Sequence, residues 1–346
     1  MTLTRHKYRS HPEFLALRQQ IQGKGDPNTF RMGASEVGTT YVKDGKIGLD
    51  EWTSPTVFFY QSCDYYDKPD ITNLPMLRGK IHEHVNYSEY WRYMDPADPS
   101  IDTFMHNREN GNVIRRARKS NEIIINHKYP WLFMSPDYII TRSKRSEKGP
   151  LEIKSLSSME NGKYKAGVAE KYVIQNHHQM LLGGWKYGEL FDVENQTTPK
   201  LYQFEYDKEI AERIIENSHD FWLRVMKGKA IVHSGISQLE KDQMLAELAP
   251  PDDGNPLYTD YLKDKHNPEL AKATVIGTED QLQFVIEFLK AKEGLEEIKT
   301  SVLEKENKIR EWFNGGIGEI TWEGVGHITW FEKFNVPKKL LKMVEA

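Results

Sequence analysis

Two short stretches hold residues whose types and order suit phosphoryl chemistry: Ser135-Pro136-Asp137 and, further along, Leu151-Glu152-Ile153-Lys154. Side chains at i and i+2 of a β-strand share a face. Glu152 and Lys154 therefore project together, toward the partner strand that Asp137 begins. Two carboxylates and the Ile153 backbone carbonyl make a half-shell of hard oxygen donors. Such a shell suits Mg²⁺ or Mn²⁺, which take near-octahedral oxygen coordination and keep several waters. Lys154 beside the ion could orient or deprotonate a water that attacks phosphorus. On spacing alone, the pattern also fits a surface hairpin with a Glu/Lys pair on its wet face. Against that, both carboxylates sit in the most apolar strands of the region, where an uncompensated carboxylate is costly to bury.

These residues require a hairpin, and the surrounding pattern supplies one. Ile123–Ile125 and Trp131–Met134 read as short apolar strands, Tyr138–Thr141 continues past a proline, a basic tip spans Arg142–Gly149, and Leu151–Lys154 returns. Upstream, a short helix covers Pro12–Ile21, a turn covers Gly23–Pro27, and Ser35 reads as an N-cap or first-turn residue. Residues 73–94 read as an amphipathic helix with Leu77, Ile81, Val85 and Tyr90 or Trp91 at helical spacing. Helix is expected over 168–188, a strand over Leu201–Tyr206, and a helix over Asp207–Met226 with Ile210, Ile214, Phe221 and Val225 toward one face. Leu248–Pro256 is the best linker candidate. Beyond it, Glu279–Phe313 reads as a long helix with heptad spacing and a weak point at Gly294. Ile320–Trp322 and Ile328–Trp330 read as a β-hairpin, and the tail after Pro337 as a short basic helix.

Composition narrows the classes. Of 346 residues, 38% are apolar, and 8 Trp, 14 Phe and 17 Tyr supply a core, so wholesale disorder is excluded. No apolar run approaches the ~18 residues of a membrane helix, and MTLTRHKYRSHPEF holds no apolar signal segment. Cys63 is the only cysteine, which excludes internal disulfides and multi-cysteine metal centres and fits a reducing cytoplasm. His82 and His84 do not share a helix face, and His177 and His178 are adjacent, so all four read as packed or exposed side chains, not ligands. Net charge is −4, yet residues 115–148 carry nine Lys/Arg against three acids. That stretch is +6 and the remainder −10, so a basic face on an acidic body could meet a polyanion.

Four segments, in order, resemble the phage-type recombination exonucleases, the lambda exonuclease and YqaJ group of the PD-(D/E)xK nuclease superfamily. They are Arg31-Met32-Gly33-Ala34-Ser35-Glu36-Val37, then Gly79-Lys80-Ile81-His82-Glu83, then Ser135-Pro136-Asp137 with Leu151-Glu152-Ile153-Lys154, and Tyr172-Val173-Ile174-Gln175 opening a helix. Tyr129-Pro130-Trp131-Leu132 and the Phe221-Trp222 helix are similar to the YqaJ group as well. The resemblance covers roughly residues 28–235, and more loosely 279–330.

The resemblance implies an α/β fold: a restriction-endonuclease-like core with a mixed central sheet flanked by helices, followed by a long helix and a β-hairpin. The core would span 1–235 and the extension 236–346. It implies a metal-dependent 5′→3′ exonuclease on double-stranded DNA that leaves a 3′ single strand for recombination. Asp137, Glu152 and the Ile153 carbonyl would hold Mg²⁺, with Mn²⁺ as a substitute. Glu83 would bind or order water at the metal, Lys154 would be the catalytic lysine, and Gln175 would steady Lys154 or substrate. Arg31, Ser35 and Ser135 match a 5′-phosphate pocket. The family's further phosphate-binding Arg corresponds here to Glu160, so that contact is lost or moved to Lys163 or Lys165. From charge, independently of the resemblance, Arg115, Arg116, Arg118 and Lys119 ahead of the hairpin and Arg142, Lys144, Arg145 and Lys148 at its tip would hold duplex backbone. Implied partners are DNA ends, a single-strand annealing protein and further copies of the chain in a trimeric ring, with no membrane. The alternatives are a single-strand exonuclease, a structure-selective endonuclease, or a non-catalytic DNA-binding protein with this fold.

Overall fold

The computed structural model describes residues 2–49, 53–67, 74–94, 115–142, 147–156, 167–195, 197–251, 255–265, parts of 280–299, 319–322 and 326–329. The catalytic-type hairpin lies at the heart of its larger sheet. Strand β7 (Tyr138–Arg142) pairs antiparallel with β8 (Glu147–Lys154), Tyr138 opposite Leu151 and Arg142 opposite Glu147. The tip is shorter than expected, because Glu147–Gly149 belong to the strand. Strand β4 (Arg115–Lys119) lies outside β7, and β9 (Tyr187–Glu194) with β10 (Thr198–Glu205) lies beyond β8. The order is β10-β9-β8-β7-β4. Only the β8–β9 pair is parallel; its crossover is helix α5 (Glu170–Gly183).

Alternation along these strands sorts side chains to two faces. Tyr138, Ile140, Leu151, Ile153, Phe191 and Val193 bury against Tyr90 and Trp91 of α4 (Leu74–Met94). The opposite face, with Ile139 and Glu152, meets α5 through Ile174, Gln175 and Gln179. Helix α5 ends at Gly184, whose φ of 64° suits glycine. The expected helix over 168–188 therefore stops early, and Tyr187 already starts β9.

The α4 reading needs correction at its surface. Ile81 and Val85 are 60% and 54% exposed, while Asn86, Tyr90 and Trp91 are buried. The large aromatic rings at the helix end, not the aliphatic spacing, set which face packs.

A second sheet has the order β1-β5-β6, from β1 (Leu3–Lys7), β5 (Glu122–Asn126) and β6 (Phe133–Met134). Helix α1 (His11–Gln22) packs beside it through Phe14, Leu17 and Ile21 against Ile123 and Phe133. The Arg31–Ser35 segment is strapped alongside: Met32 bridges Leu132 in parallel, donating to Trp131 O and accepting from Phe133 N. Gly33 allows this approach, since a Cβ there would meet the Phe133 ring at 2.9 Å. Helix α2 (Val37–Thr40) follows; its N-cap is Glu36, so Ser35 lies in the preceding turn and is not the cap.

Helices α3 (Pro55–Ser62), α6 (Lys208–Val232), α7 (Gln238–Leu248) and α8 (Pro256–Lys265) complete this part of the molecule. Ile214, Phe221 and Val225 of α6 are buried as expected. The chain divides into two units, residues 1–267 and 268–346. Residues 236–267, read from sequence with the extension, pack in the first unit: Leu245 is fully buried and Tyr261 stacks on Tyr60 at 4.7 Å. In the second unit, β11 (Glu319–Trp322) and β12 (Gly326–Thr329) form the expected hairpin, Ile320 opposite Ile328. Gly294 is helical. Val302, Lys305, Ile309, Trp312 and the tail after Pro337 lie outside the described residues.

Candidate active site

Strand β7 ends its pairing with β8 at Tyr138–Leu151, so the backbone edge of β8 beyond Leu151 faces no strand on that side. Asp137 fills the position: its Oδ2 accepts the Ile153 N–H at 3.0 Å. The N–H and C=O of one strand residue point to the same side, so the Ile153 carbonyl also faces Asp137. Two residues apart on the α5 face, Glu152 and Lys154 form an ion pair of 2.8 Å from Nζ to Oε2. Gln175 donates to the same Glu152 oxygen at 2.8 Å, and Gln179 donates to Oε1 at 2.6 Å. Glu152 is only 2% exposed and Lys154 22%. The Lys154 ammonium also lies 5.7 Å from the centroid of the Tyr172 ring.

Charge in this cluster is poised. Burial, then the charges of Glu152 and Glu83, push the Asp137 carboxyl well above the ordinary carboxylate range; Lys154 and the Ile153 N–H oppose the shift. Burial works to discharge Lys154, but the Glu152 and Asp137 carboxylates outweigh it and hold the ammonium above the usual lysine range. In this arrangement Lys154 carries its ammonium against the Glu152 carboxylate.

Glu83 reaches the same neighbourhood from α4. Its Oε1 accepts from Lys119 Nζ of β4 at 3.2 Å, and its charge acts on Asp137, Tyr8 and Tyr138. The donor set for a metal is thus two carboxylates and one carbonyl, with Glu83 held at the margin by Lys119. Among the described residues no three His, Cys, Asp or Glu side chains form a complete cage. Hard oxygens and incomplete coordination fit an ion that keeps several waters, as Mg²⁺ does. The two histidines of α5 take no part: His178 Nε2 bonds Phe133 O at 2.9 Å and His177 Nδ1 bonds Val173 O at 2.8 Å.

The three residues expected around a phosphate have different surroundings. Arg31 is anchored to backbone, Nε on Pro130 O at 2.9 Å and Nη1 on Ile21 O at 3.1 Å. Ser35 is exposed and lies 3.5 Å from Arg18 Nη2. Ser135 Oγ lies 3.5 Å from the Tyr8 hydroxyl. Arg142 is described only through its backbone, opposite Glu147 and Arg115 in the sheet. Lys144, Arg145, Lys163 and Lys165 lie outside the described residues.

Sequence reading missed Gln179, Asn86, Tyr8 and Arg18, and it placed Lys119 among the duplex-holding basic residues without its contact to Glu83. Gln179 was within reach, because it follows Gln175 by one helical turn and so shares its face. Asn86 follows Glu83 on α4 by the same logic and donates to Lys154 O at 3.1 Å. The contacts of Lys119, Tyr8 and Arg18 arrive by long-range strand pairing and helix packing, and nothing local marks them.

The YqaJ-like viral recombinase domain model matches residues 14–186, which span every motif of this site from Arg31 to Gln179. No curated protein sequence matches the chain. Among solved structures, LHK-Exo in complex with dAMP is similar at 15% identity and a TM-score of 0.43, over 58% of this chain and 91% of that one. An alkaline exonuclease (LHK-Exo) from Laribacter hongkongensis is similar at 16% identity and a TM-score of 0.42, over 63% of this chain and 95% of that one. With half its length matched by the family model, the chain belongs to the YqaJ-like viral recombinase domain family.

Proposed function

We propose that the protein is a Mg²⁺-dependent exonuclease that degrades the 5′-terminated strand of double-stranded DNA and leaves a 3′ single strand for recombination. The observation that supports it most is the convergence of Asp137, Glu152 and Lys154, with Gln175 and Gln179 fixing Glu152. Asp137, Glu152 and the Ile153 carbonyl would hold Mg²⁺, and Glu83 would order water beside it; Mn²⁺ has the same preferences. The bound ion would supply a Lewis acid for the scissile phosphate and an acidified water.

The chain's own groups do the rest. Gln175 and Gln179 lock the Glu152 carboxylate in one orientation, so no reorganisation is needed when charge develops. The Lys154 ammonium lies where it can orient the attacking water and offset negative charge on phosphorus. Tyr172 covers Lys154 on its far side. The basic strand β4 lies next to β7, so Lys119, which meets Glu83, would lie where duplex backbone runs. Arg31, Ser35 and Ser135 would receive the 5′ end. The same reading gives DNA ends as substrate, an annealing protein as user of the product strand, a homo-oligomeric ring as the working form, and the cytoplasm as the compartment. No helix among the described residues is long and apolar enough to cross a membrane.

Incubation of linear duplex labelled separately at each 5′ and 3′ end, with and without Mg²⁺, tests this. The expected result is Mg²⁺-dependent release of 5′-terminal label first, with the complementary strand intact and circular duplex untouched. Cutting of circles or of single strands in preference to duplex would favour the alternative substrates.

A further inference from the structure

Glu83 and Lys119 meet across two elements that are fixed to each other. Lys119 ends β4, and its Nζ lies 3.2 Å from Glu83 Oε1 on α4. One helical turn beyond Glu83, Tyr87 stacks its ring on Tyr138 with centroids 4.0 Å apart and planes within 5°. The Tyr87 hydroxyl donates to Ala117 O of β4 at 3.4 Å. The Lys119 ammonium lies 5.9 Å from the centroid of the same Tyr138 ring. Next along the chain, the Ser120 N–H donates to Asp137 O at 3.1 Å. The ion pair is thus built onto the backbone that carries Asp137. Its carboxylate is also felt there: after burial and Glu152, the Glu83 charge adds to the rise in the Asp137 pKa.

The pair is open to water. The Lys119 and Glu83 side chains are 41% and 27% exposed. A pair this wet is weakly held, because water screens the attraction and competes for both groups. Each half suits a stronger claimant. A divalent cation at Asp137 and Glu152 would draw the Glu83 carboxylate, and a duplex phosphate along β4 would draw the ammonium. Either claimant alone must break the pair to gain its half. The two together break it once and share the cost, which is the condition for one to help the other bind.

We propose that Lys119 is a positioning residue that holds Glu83 off the metal until a duplex phosphate takes its ammonium, so that DNA and divalent cation bind cooperatively. This rests on the nuclease reading above and adds a coupling between its two ligands. The coupling is reciprocal: the cation tightens duplex binding by the factor by which duplex tightens cation binding. One part-exposed ion pair sets the Lys119 share of that factor at about twofold to fivefold. The hydrolytic centre then assembles on DNA and stays loosely loaded away from it.

Calorimetric titration of the whole protein with Ca²⁺, alone and with a saturating short duplex, reads the coupling without hydrolysis. Salt at about 0.15 M screens exposed charges that are not in contact. Without DNA, Lys119→Met should bind Ca²⁺ about twofold to fivefold tighter than wild type. Duplex should then add that much less affinity than it adds to the wild type. Lys119→Arg, which keeps the charge and the reach, should behave as wild type. In a Glu83→Gln background, Lys119→Met should no longer raise Ca²⁺ affinity. A Lys119→Met protein that binds Ca²⁺ no tighter than wild type would overturn the proposal. So would an equal rise in the Glu83→Gln background, which would make the effect one of net charge. If Lys119→Met does not fold, Lys119→Gln carries the same expectations. Asp137→Asn separates the coupling from the reading beneath it. Loss of Ca²⁺ binding there, with no effect of Lys119→Met, would leave the metal centre and remove the coupling. Ca²⁺ affinity indifferent to Asp137→Asn would remove the metal centre and the coupling with it.

Discussion

Acid should destabilise this protein through one identifiable imidazole. His178 is fully buried on α5, with Nε2 donating to Phe133 O at 2.9 Å. Its other nitrogen, Nδ1, is buried with no partner in the structure. Protonation would place an unpaired N–H and a charge in the core. Burial therefore lowers its pKa to about 4, against the weak pull of the Phe133 carbonyl and the Glu36 charge. The unfolded chain takes up this proton near the ordinary histidine value of about 6.5, while the folded chain waits until about 4. The stability that depends on a neutral His178 is thus fully present above about pH 6.5 and is lost as pH falls toward 4. At about 1.4 kcal/mol per unit, the loss is roughly 3 kcal/mol, a large share of a typical domain stability of ~5–15 kcal/mol. Urea denaturation followed by tryptophan fluorescence at pH 7.5, 6.5, 5.5 and 4.5 (assay conditions of roughly unit spacing), on wild type and His178→Gln, measures it. Gln keeps a donor for Phe133 O and cannot titrate. Between about pH 6 and 4.5 the wild type should lose stability faster than the variant by roughly 1.4 kcal/mol per pH unit. Carboxylates elsewhere contribute alike to both proteins, so parallel slopes would refute the reasoning.

Gln179→Leu leaves Glu152 Oε1 without its donor, and should lower Mg²⁺-dependent turnover by about 10–100-fold, the usual cost of losing a partner that orients a ligand; kinetics over a Mg²⁺ titration would check this, and wild-type rates would refute it. Binding of duplex in Ca²⁺ should weaken steeply with salt, log affinity falling by about 0.9 per phosphate neutralised. Changing Arg142, Lys144, Arg145 and Lys148 to Gln should flatten that slope on unrelated sequences alike; an unchanged slope would make the tip a solvated loop.

Where sequence and structure agree, the signal was local. Apolar runs bounded by turn residues marked β5, β6, β7 and the end of β8, and Asp137, Glu152 and Lys154 follow from strand alternation once those are placed. Strands β1 and β4, with sequences LTRHK and RRARK, were not legible because each is an edge strand with one neighbour and needs little apolar surface. Strand β9 was hidden by its own buried acids. Tyr90 and Gln203 bond Glu189, and the Leu156 N–H bonds Asp192. The α4 face was misread because aliphatic spacing pointed one way and the rings of Tyr90 and Trp91 the other. At the site, residues within a strand or one helical turn of a motif were recoverable. Tyr8 and Arg18 depend on the β1–β5 pairing, more than a hundred residues apart, and on helix packing, and Lys119 on the pairing of β4 with β7 and the approach of α4, which a single sequence does not encode locally.

The central claim is that Asp137 and Glu152 form the metal-dependent hydrolytic centre. Asp137→Asn and Glu152→Gln keep shape while removing charge, so each should fold and bind duplex in Ca²⁺. Single-turnover hydrolysis of a 5′-phosphorylated linear duplex in Mg²⁺ is the direct measurement. Either substitution should lower the rate by about a thousandfold or more, a few kcal/mol of lost transition-state stabilisation. Hydrolysis within a few fold of wild type in either variant would contradict it.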